Sequence, residues 1–254
     1  MGAPATRTST GEPPPPDPVV RVESLTKRFG ELTAVDDLSF SLDRGAVTGF
    51  LGPNGAGKTT TLRLLLGLAE PTAGRALVFG HRYSELERPA RLVGAVLESN
   101  DFHPGRSGRN HLRSLALMSE AEIAPERVEE VLWLVELAGA ADRPVGTYSL
   151  GMRQRLGLAG ALLGEPELLI LDEPASGLDP AGVQWLRTFL RRFAGRGRTV
   201  LIASHVLAEV AQTVDQVVII DRGRLAAIAR LDELSRRGGT LEDAYLELTT
   251  RRAS

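Results

Sequence analysis

The chain has 254 residues, a formal net charge of −2 at pH 7 and no cysteine. That length suits one large domain or two small ones with a full apolar core. The charge gives no reason to expect binding to nucleic acid, and the lack of cysteine excludes disulfides and thiolate metal sites. No apolar run approaches the roughly 20 residues that span a bilayer, and the N-terminus lacks the basic and apolar regions of a secretory signal.

The N-terminal segment, residues 1–18, is rich in Pro, Thr and Gly and shows no apolar periodicity, which predicts a disordered Pro-rich tail. Strands are predicted over residues 19–22 and 38–42. Between them, Phe29 has two interpretations, ordinary packing or stacking on a nucleotide base, and this segment alone favours packing. Lys27 is interpreted as a solvated loop residue.

A glycine-rich loop follows an apolar run at residues 47–51 and precedes a helical pattern at 60–68. It matches every fixed position of the phosphate-binding pattern G-x-x-x-x-G-K-[ST]. This phosphate loop consists of Gly52, Pro53, Asn54, Gly55, Ala56, Gly57, Lys58 and Thr59. Its backbone N–H groups and the positive end of the next helix favour an anion. We expect Lys58 to reach the β- and γ-phosphates, the Thr59 hydroxyl to hold Mg²⁺, and Thr60 to join the nucleotide contacts.

The middle of the chain alternates between strand and helix patterns. A short strand is predicted at residues 76–80, and a buried one at 91–97 ends at Glu98, where α/β proteins commonly gather ligands. From about residue 110 to 138 the apolar spacing becomes helical, which predicts a helical insert. Another helix should begin after Ser149, a good N-cap residue, and run to about Leu163.

A fully apolar strand at residues 168–171 is followed at once by Asp172 and Glu173. Two acids in this position are typical of the second half of a phosphate-loop nucleotide site. Asp172 would bind Mg²⁺ from the side opposite Thr59, and Glu173 would polarise the attacking water.

Asp179 then lies in a turn with helix-start residues, followed by a helix at 183–193. His205 follows a buried strand at 199–203, a position that favours a functional role over a structural one. The last strand is predicted at 217–220, with a helical tail from residue 231.

In this order the residues resemble one family, the ATP-binding cassette ATPases, the nucleotide-binding subunits of ABC transporters. The resemblance covers nearly all of residues 19–248 and rests on the combination of motifs. It implies an α/β fold in which a P-loop NTPase core with a mixed sheet carries an N-terminal antiparallel β subdomain. A helical subdomain, roughly 100–163, would be inserted in a single domain over 19–254 that ends in a C-terminal tail at 224–254.

The resemblance also implies roles for individual residues. Phe29 would stack on adenine, and His205 would contact the γ-phosphate. The signature segment, Ser149–Arg153, stands where the family has Leu-Ser-Gly-Gly-Gln, with Ser149 and Gly151 matched. In the family this segment binds ATP across a dimer, so one subunit would hold two half-sites, with Asp179 at the dimer seam.

Three departures mark this chain: Leu150 shifts the signature to Ser-Leu-Gly, Met152-Arg153 replaces Gly-Gln, and Glu98 stands where the family commonly has Gln. A carboxylate at 98 can still bind Mg²⁺ or orient water, so Glu98 is a candidate metal ligand and catalytic residue. These features resemble the exporter branch linked to peptide-antibiotic and drug self-resistance.

The leading hypothesis is therefore an ATP-hydrolysing, Mg²⁺-dependent subunit that dimerises with a second copy and powers a separate membrane permease docked on the insert. It would be cytoplasmic and peripheral on the inner face of the cell membrane. Alternatives are a soluble ABC ATPase acting on ribosomes or DNA, and a nucleotide-binding regulator without catalysis. No nucleic acid partner is expected, and the transported substrate leaves little trace in the sequence.

Overall fold

The computed structural model describes residues 17–97, 102–119 and 122–236, together with Leu241 and Tyr245. These residues form two β-sheets and eight α-helices. The strands are β1 (Val20–Phe29), β2 (Leu32–Leu42), β3 (Val47–Leu51), β4 (Ala73–Val78), β5 (Val93–Val96), β6 (Leu168–Asp172), β7 (Thr199–Ser204), β8 (Gln216–Asp221) and β9 (Arg224–Arg230). The helices are α1 (Lys58–Leu65), α2 (Pro89–Leu92), α3 (Gly108–Met118), α4 (Glu126–Leu134), α5 (Leu150–Leu162), α6 (Pro180–Ala194), α7 (Leu207–Ala211) and α8 (Leu231–Arg236).

The larger sheet has six strands in the order β5-β6-β7-β3-β8-β9. All neighbours are parallel except β8 and β9, which pair antiparallel. Strands β3, β6 and β7 are buried along their whole length, as expected for parallel strands covered on both faces. The mixed sheet predicted from the sequence is confirmed.

The smaller sheet is antiparallel, with the order β2-β1-β4. One apolar core fills the space between the two sheets and α1, and includes Leu38, Phe50 and Leu62. A second core packs α3 to α6 against the larger sheet, and includes Leu112, Leu132 and Leu156. The N-terminal antiparallel unit and the helical insert between β5 and β6 agree with the predicted architecture, and the domain boundaries stay predictions.

Several predicted element bounds are wrong. Strand β1 continues to Phe29, so Lys27 and Phe29 lie in a strand and not in a loop. Residues 91–92 belong to α2 and not to the strand predicted at 91–97. The last strand is not β8 but β9, so Arg224–Arg230, which were predicted to begin the C-terminal tail, form an edge strand paired with β8. The two strands are joined at Arg222 and Gly223, which have φ values of 47° and 79°, the backbone of a tight hairpin. The Ala-rich sequence of β9 hides its strand character.

Candidate nucleotide-binding and catalytic site

Three neighbouring parallel strands bring the predicted site residues to one edge of the larger sheet. Strand β3 leads into the phosphate loop, β6 ends at Asp172, and β7 ends at Ser204, just before His205. The carboxyl ends of parallel strands in an open α/β sheet are the usual place for a ligand. Three segments far apart in the sequence therefore meet at this edge of the sheet.

The phosphate loop needs glycine where the backbone turns into α1. Gly55 and Gly57 have φ values of 80° and 102°, a backbone region that residues with a side chain rarely adopt. A side chain at Gly57 would also run into the carbonyl oxygen of Ala34 in β2. The loop is thus pressed against the antiparallel sheet, and α1 begins at Lys58 with its N-terminal N–H groups at the loop.

Lys58 is only 7% exposed, and its ammonium group stays inside the loop. Its Nζ donates to the carbonyl oxygens of Gly52, at 2.8 Å, and Pro53, at 3.3 Å. It also lies 3.8 Å from Oε1 of Glu173. The cation is therefore held where the loop's N–H groups and the strand-end acid converge, which suits contact with a phosphate.

Thr59 and Asp172 face each other across the site. The Thr59 hydroxyl donates to Oδ2 of Asp172 at 2.7 Å, and Asp172 is 3% exposed. A hydroxyl and a carboxylate oxygen this close are the oxygen donors that Mg²⁺ prefers. The donor set therefore fits the ion that the sequence predicts between these two residues.

Glu173 is held by a network at the end of the sheet. Its Oε1 lies 2.8 Å from Nδ1 of His205, and the Ser204 hydroxyl donates to its Oε2 at 3.3 Å. Its backbone φ is 49°, and its N–H donates to the carbonyl oxygen of Ala203 at 2.9 Å. A left-handed backbone is costly for a side-chain-bearing residue and persists where its surroundings hold it. Sequence reasoning missed Ser204, whose only signal was its place at a strand end next to His205.

The signature segment forms a separate group with the start of α6. Ser149 caps α5 by accepting from the N–H of Met152 at 3.2 Å, and Asp179 caps α6 by accepting from that of Gly182 at 2.8 Å. Gly151 leaves room for Leu178, whose Cδ2 lies 3.5 Å from the Cβ position at 151. Among the described residues, the cavity of about 210 Å³ between these helices is lined by no residue of the phosphate loop.

Phe29 lies at the tip of the β1–β2 hairpin, where it pairs with Leu32. It is 52% exposed, so its ring is not a core residue, and the packing interpretation is not supported. Lys27 is not simply solvated, because its Nζ donates to the Glu70 carbonyl oxygen at 2.7 Å and lies 4.9 Å from the centre of the Phe29 ring. Glu98 lies outside the described residues.

The model for the ABC transporter family, ABC_tran, matches residues 35–176, more than half of the chain. The chain belongs to the ABC transporter family. It is 40% identical over 234 residues to the uncharacterized ABC transporter ATP-binding protein YdbJ of Bacillus subtilis (strain 168), covering 91% of this chain and 75% of that protein. It is 41% identical over 221 residues to the bacitracin transport ATP-binding protein BcrA of Bacillus licheniformis, covering 86% of this chain and 72% of the relative.

A solved structure described as the ATP binding subunit of an ABC transporter aligns with a TM-score of 0.79 at 31% identity, covering 91% of this chain and 99% of that one. As a member of the ABC transporter family, this chain is a nucleotide-binding subunit that hydrolyses ATP. In the described part of the chain no helix is long and apolar enough to cross a membrane.

The helical insert and the edge strand β5 enclose a second cavity, of about 460 Å³. Its lining is rich in small residues. They include Gly94, Ala95, Gly157, Gly160, Ala161 and Gly164. His111 also lines this small-residue cleft, and burial together with the charge of Arg106 lowers the pKa of its imidazole below the ordinary value.

Proposed function

We propose that the residues at the carboxyl ends of β3, β6 and β7 hydrolyse ATP, and that the energy drives a separate membrane permease. The observation that carries the proposal is the convergence of Lys58, Glu173 and His205, with Nζ and Nδ1 lying 3.8 Å and 2.8 Å from the same carboxylate oxygen. Such a cluster combines a phosphate-binding cation with a base for water.

Each side chain has a distinct part in this reaction. The phosphate loop, including Thr60 at the start of α1, binds the phosphates, and Lys58 neutralises charge that builds up on them. Glu173 accepts a proton from the attacking water, while His205 and Ser204 hold its carboxylate in place and His205 contacts the γ-phosphate. Thr59 and Asp172 would hold Mg²⁺, which when bound supplies positive charge to the phosphate oxygens.

The signature segment completes the site of a second copy. Ser149 and Gly151 present the N-terminus of α5, whose backbone N–H groups favour a γ-phosphate. Since the phosphate loop and the signature segment belong to different surfaces of one subunit, two copies facing each other would enclose two nucleotides. Asp179, at the start of α6 beside the signature, would lie at the seam between the copies.

Glu173→Gln tests this function directly. We expect the variant to bind ATP normally but to hydrolyse it about 10²- to 10⁴-fold more slowly, because the base for water is lost. Trapped nucleotide should also shift the protein from monomer to dimer in sizing chromatography with ATP. The matched control is Glu167→Gln, an acid at the opposite end of β6 that pairs with Arg44. A Glu173→Gln variant that hydrolyses ATP at the normal rate, or stays monomeric with ATP, would contradict the proposal.

The small-residue cleft is the docking place we propose for the permease. Ala95 is exposed and Gly157 and Ala161 are partly exposed, which leaves room for a protruding segment of another chain. Gly94 and Gly164 are instead closed off by carbonyl oxygens of this chain. Its lining joins Ala95 of the edge strand β5 to His111 and Leu115 of the helical insert, so a bound permease segment would contact the catalytic core and the insert together.

Ala95→Arg would fill this cleft from the exposed side of β5. We expect it to abolish co-purification with the permease while basal ATP hydrolysis is kept. Ile228→Arg is the control, since Ile228 is 50% exposed on β9, the opposite edge strand of the same sheet. Equal loss of the permease in both variants would refute the docking place.

The cargo we propose is an antibiotic or drug, exported from the cell, with the ATPase peripheral on the inner face of the membrane. Support comes from the sequence features shared with the exporter branch and from the relative named for bacitracin transport. Nothing favours an ATPase that acts on ribosomes or DNA. Glu98 stays a predicted metal-binding and catalytic residue.

A further inference from the structure

Lys27 and Lys58 are the only lysines in a chain that otherwise uses arginine. Lys58 belongs to the phosphate loop, whereas no motif explains Lys27. The structure gives Lys27 two contacts: its Nζ donates to the carbonyl oxygen of Glu70 at 2.7 Å, and it lies 4.9 Å from the centre of the Phe29 ring.

The Glu70 carbonyl belongs to the segment that follows α1, the helix that starts in the phosphate loop. Two further hydrogen bonds join the same segment to the end of β1. The N–H of Arg28 donates to Oγ1 of Thr72 at 3.0 Å, and that of Thr72 donates to the carbonyl oxygen of Thr26 at 2.8 Å. The position of the aromatic ring is therefore linked to the element that binds the phosphates.

A cation within about 6 Å of an aromatic ring centre is attracted to the face of the ring. Phe29 is held in this way from the side of Lys27, while half of its surface remains exposed. Because the Lys27 ammonium group is anchored to the carbonyl oxygen of Glu70, it favours one orientation of the exposed Phe29 ring at the hairpin tip. The exposed part of the ring is then oriented in advance for a flat, electron-rich base.

We propose that Lys27 is a positioning residue for the nucleotide base: it holds the Phe29 ring so that the purine stacks on its open side. The inference rests on the proposed role of Phe29 and adds a residue to it. Because Lys27 acts on the base through Phe29, it should influence ligands that carry a base and leave base-free phosphates unaffected.

The experiment compares ADP with inorganic pyrophosphate by isothermal titration calorimetry, with Mg²⁺ present, so that hydrolysis plays no part. Lys27→Met keeps the length of the side chain and removes its charge. We expect it to weaken ADP binding about two- to fivefold, the range for one exposed cation–π contact, and to leave pyrophosphate binding unchanged. In steady-state assays KM for ATP should rise with kcat unchanged, and Lys27→Arg should restore most of the affinity because a guanidinium also stacks on an aromatic ring.

Arg28→Met is the matched control, because it removes the same charge from the next residue of β1. Phe29→Ala tests separately whether Phe29 contacts the base, the proposed role on which the inference rests. If Phe29→Ala weakens ADP binding but Lys27→Met behaves like Arg28→Met, Lys27 has no positioning role and the base site stands. If Phe29→Ala leaves ADP binding intact, the proposed base contact itself is wrong. Equal weakening of pyrophosphate and ADP in Lys27→Met would also overturn the inference, since it would indicate a general charge effect.

Discussion

The phosphate loop and the signature segment both present a helix N-terminus, yet their surroundings differ. At the phosphate loop, Lys58 and Thr59 already contact the acids at the end of β6 within one subunit. At the signature segment, Ser149 only caps its own helix, and Leu150 is 51% exposed. The side chains proposed for catalysis thus contact one another within one subunit, whereas the signature segment presents a helix N-terminus beside an exposed side chain.

In the function proposed above, this difference explains how one chain would carry the catalytic groups and still depend on a second copy. The buried acids and lysine are costly to assemble, so they are fixed by the parallel sheet, where position is least variable. The signature needs only a helix terminus and a small residue at Gly151. We expect substitutions in the first region to change nucleotide and Mg²⁺ binding by a single subunit. Substitutions in the second region should change hydrolysis only when two copies associate.

Asp172→Asn and Asp179→Asn test that contrast with the same chemical change in each region. Asp172→Asn should lower ATP hydrolysis by about 10²- to 10³-fold and remove the Mg²⁺ dependence of nucleotide binding, because a carboxylate ligand is lost. Asp179→Asn should keep Mg²⁺-dependent binding, and Asn can still cap α6. Calorimetry with and without Mg²⁺ distinguishes the two. If both variants lose Mg²⁺ dependence, the regions are not independent.

Ser149→Ala tests the signature with a control from the same chain. Ser107 caps α3 through the same kind of bond, accepting from the N–H of Asn110 at 3.3 Å. Each Ser→Ala change should lower the free energy of unfolding by about 1 kcal/mol. Only Ser149→Ala should also lower the rate of hydrolysis, by about tenfold or more, with ADP affinity of the monomer unchanged. Similar hydrolysis rates in the two variants would remove the signature from the site.

The last test concerns stability without any expected change in chemistry, at the contact between Leu150 and the turn before α6. Gly177 has a φ of 72°, and a side chain there would collide with Cδ2 of Leu150. Gly177→Ala should lower the free energy of unfolding by about 1–2 kcal/mol from backbone strain, and by more because of the collision.

Gly197→Ala supplies the control, because Gly197 has a φ of 79° and open space around its Cβ position. Chemical denaturation should show a larger loss for Gly177→Ala than for Gly197→Ala. The excess should disappear in a Leu150→Ala background, since the colliding side chain is then gone. An excess that persists without Leu150 would mean that the signature and the turn are not coupled by this contact.

Much of the site was predictable because its motifs are local. The glycine-rich loop lies between a strand and a helix, and the two acids directly follow an apolar run. Each motif consists of consecutive residues, so its chemistry can be recognised from the sequence. The caps at Ser149 and Asp179 were predictable for the same reason, since a cap is a bond to a backbone N–H three residues away. The mixed sheet was expected from the family resemblance.

Other features were set by contacts between distant segments. The sequence could not assign Ser204 to Glu173 or Lys27 to the carbonyl oxygen of Glu70, because each bond joins residues far apart in the chain. Strand β9 was missed for another reason, since its Ala-rich sequence hides its strand character. The sequence by itself determined the phosphate chemistry through its short motifs, and the fold class through the family resemblance that those motifs carry. Only the tertiary structure decided which side chains share the Glu173 carboxylate and that the signature segment lines a different cavity, because register and packing bring remote residues together.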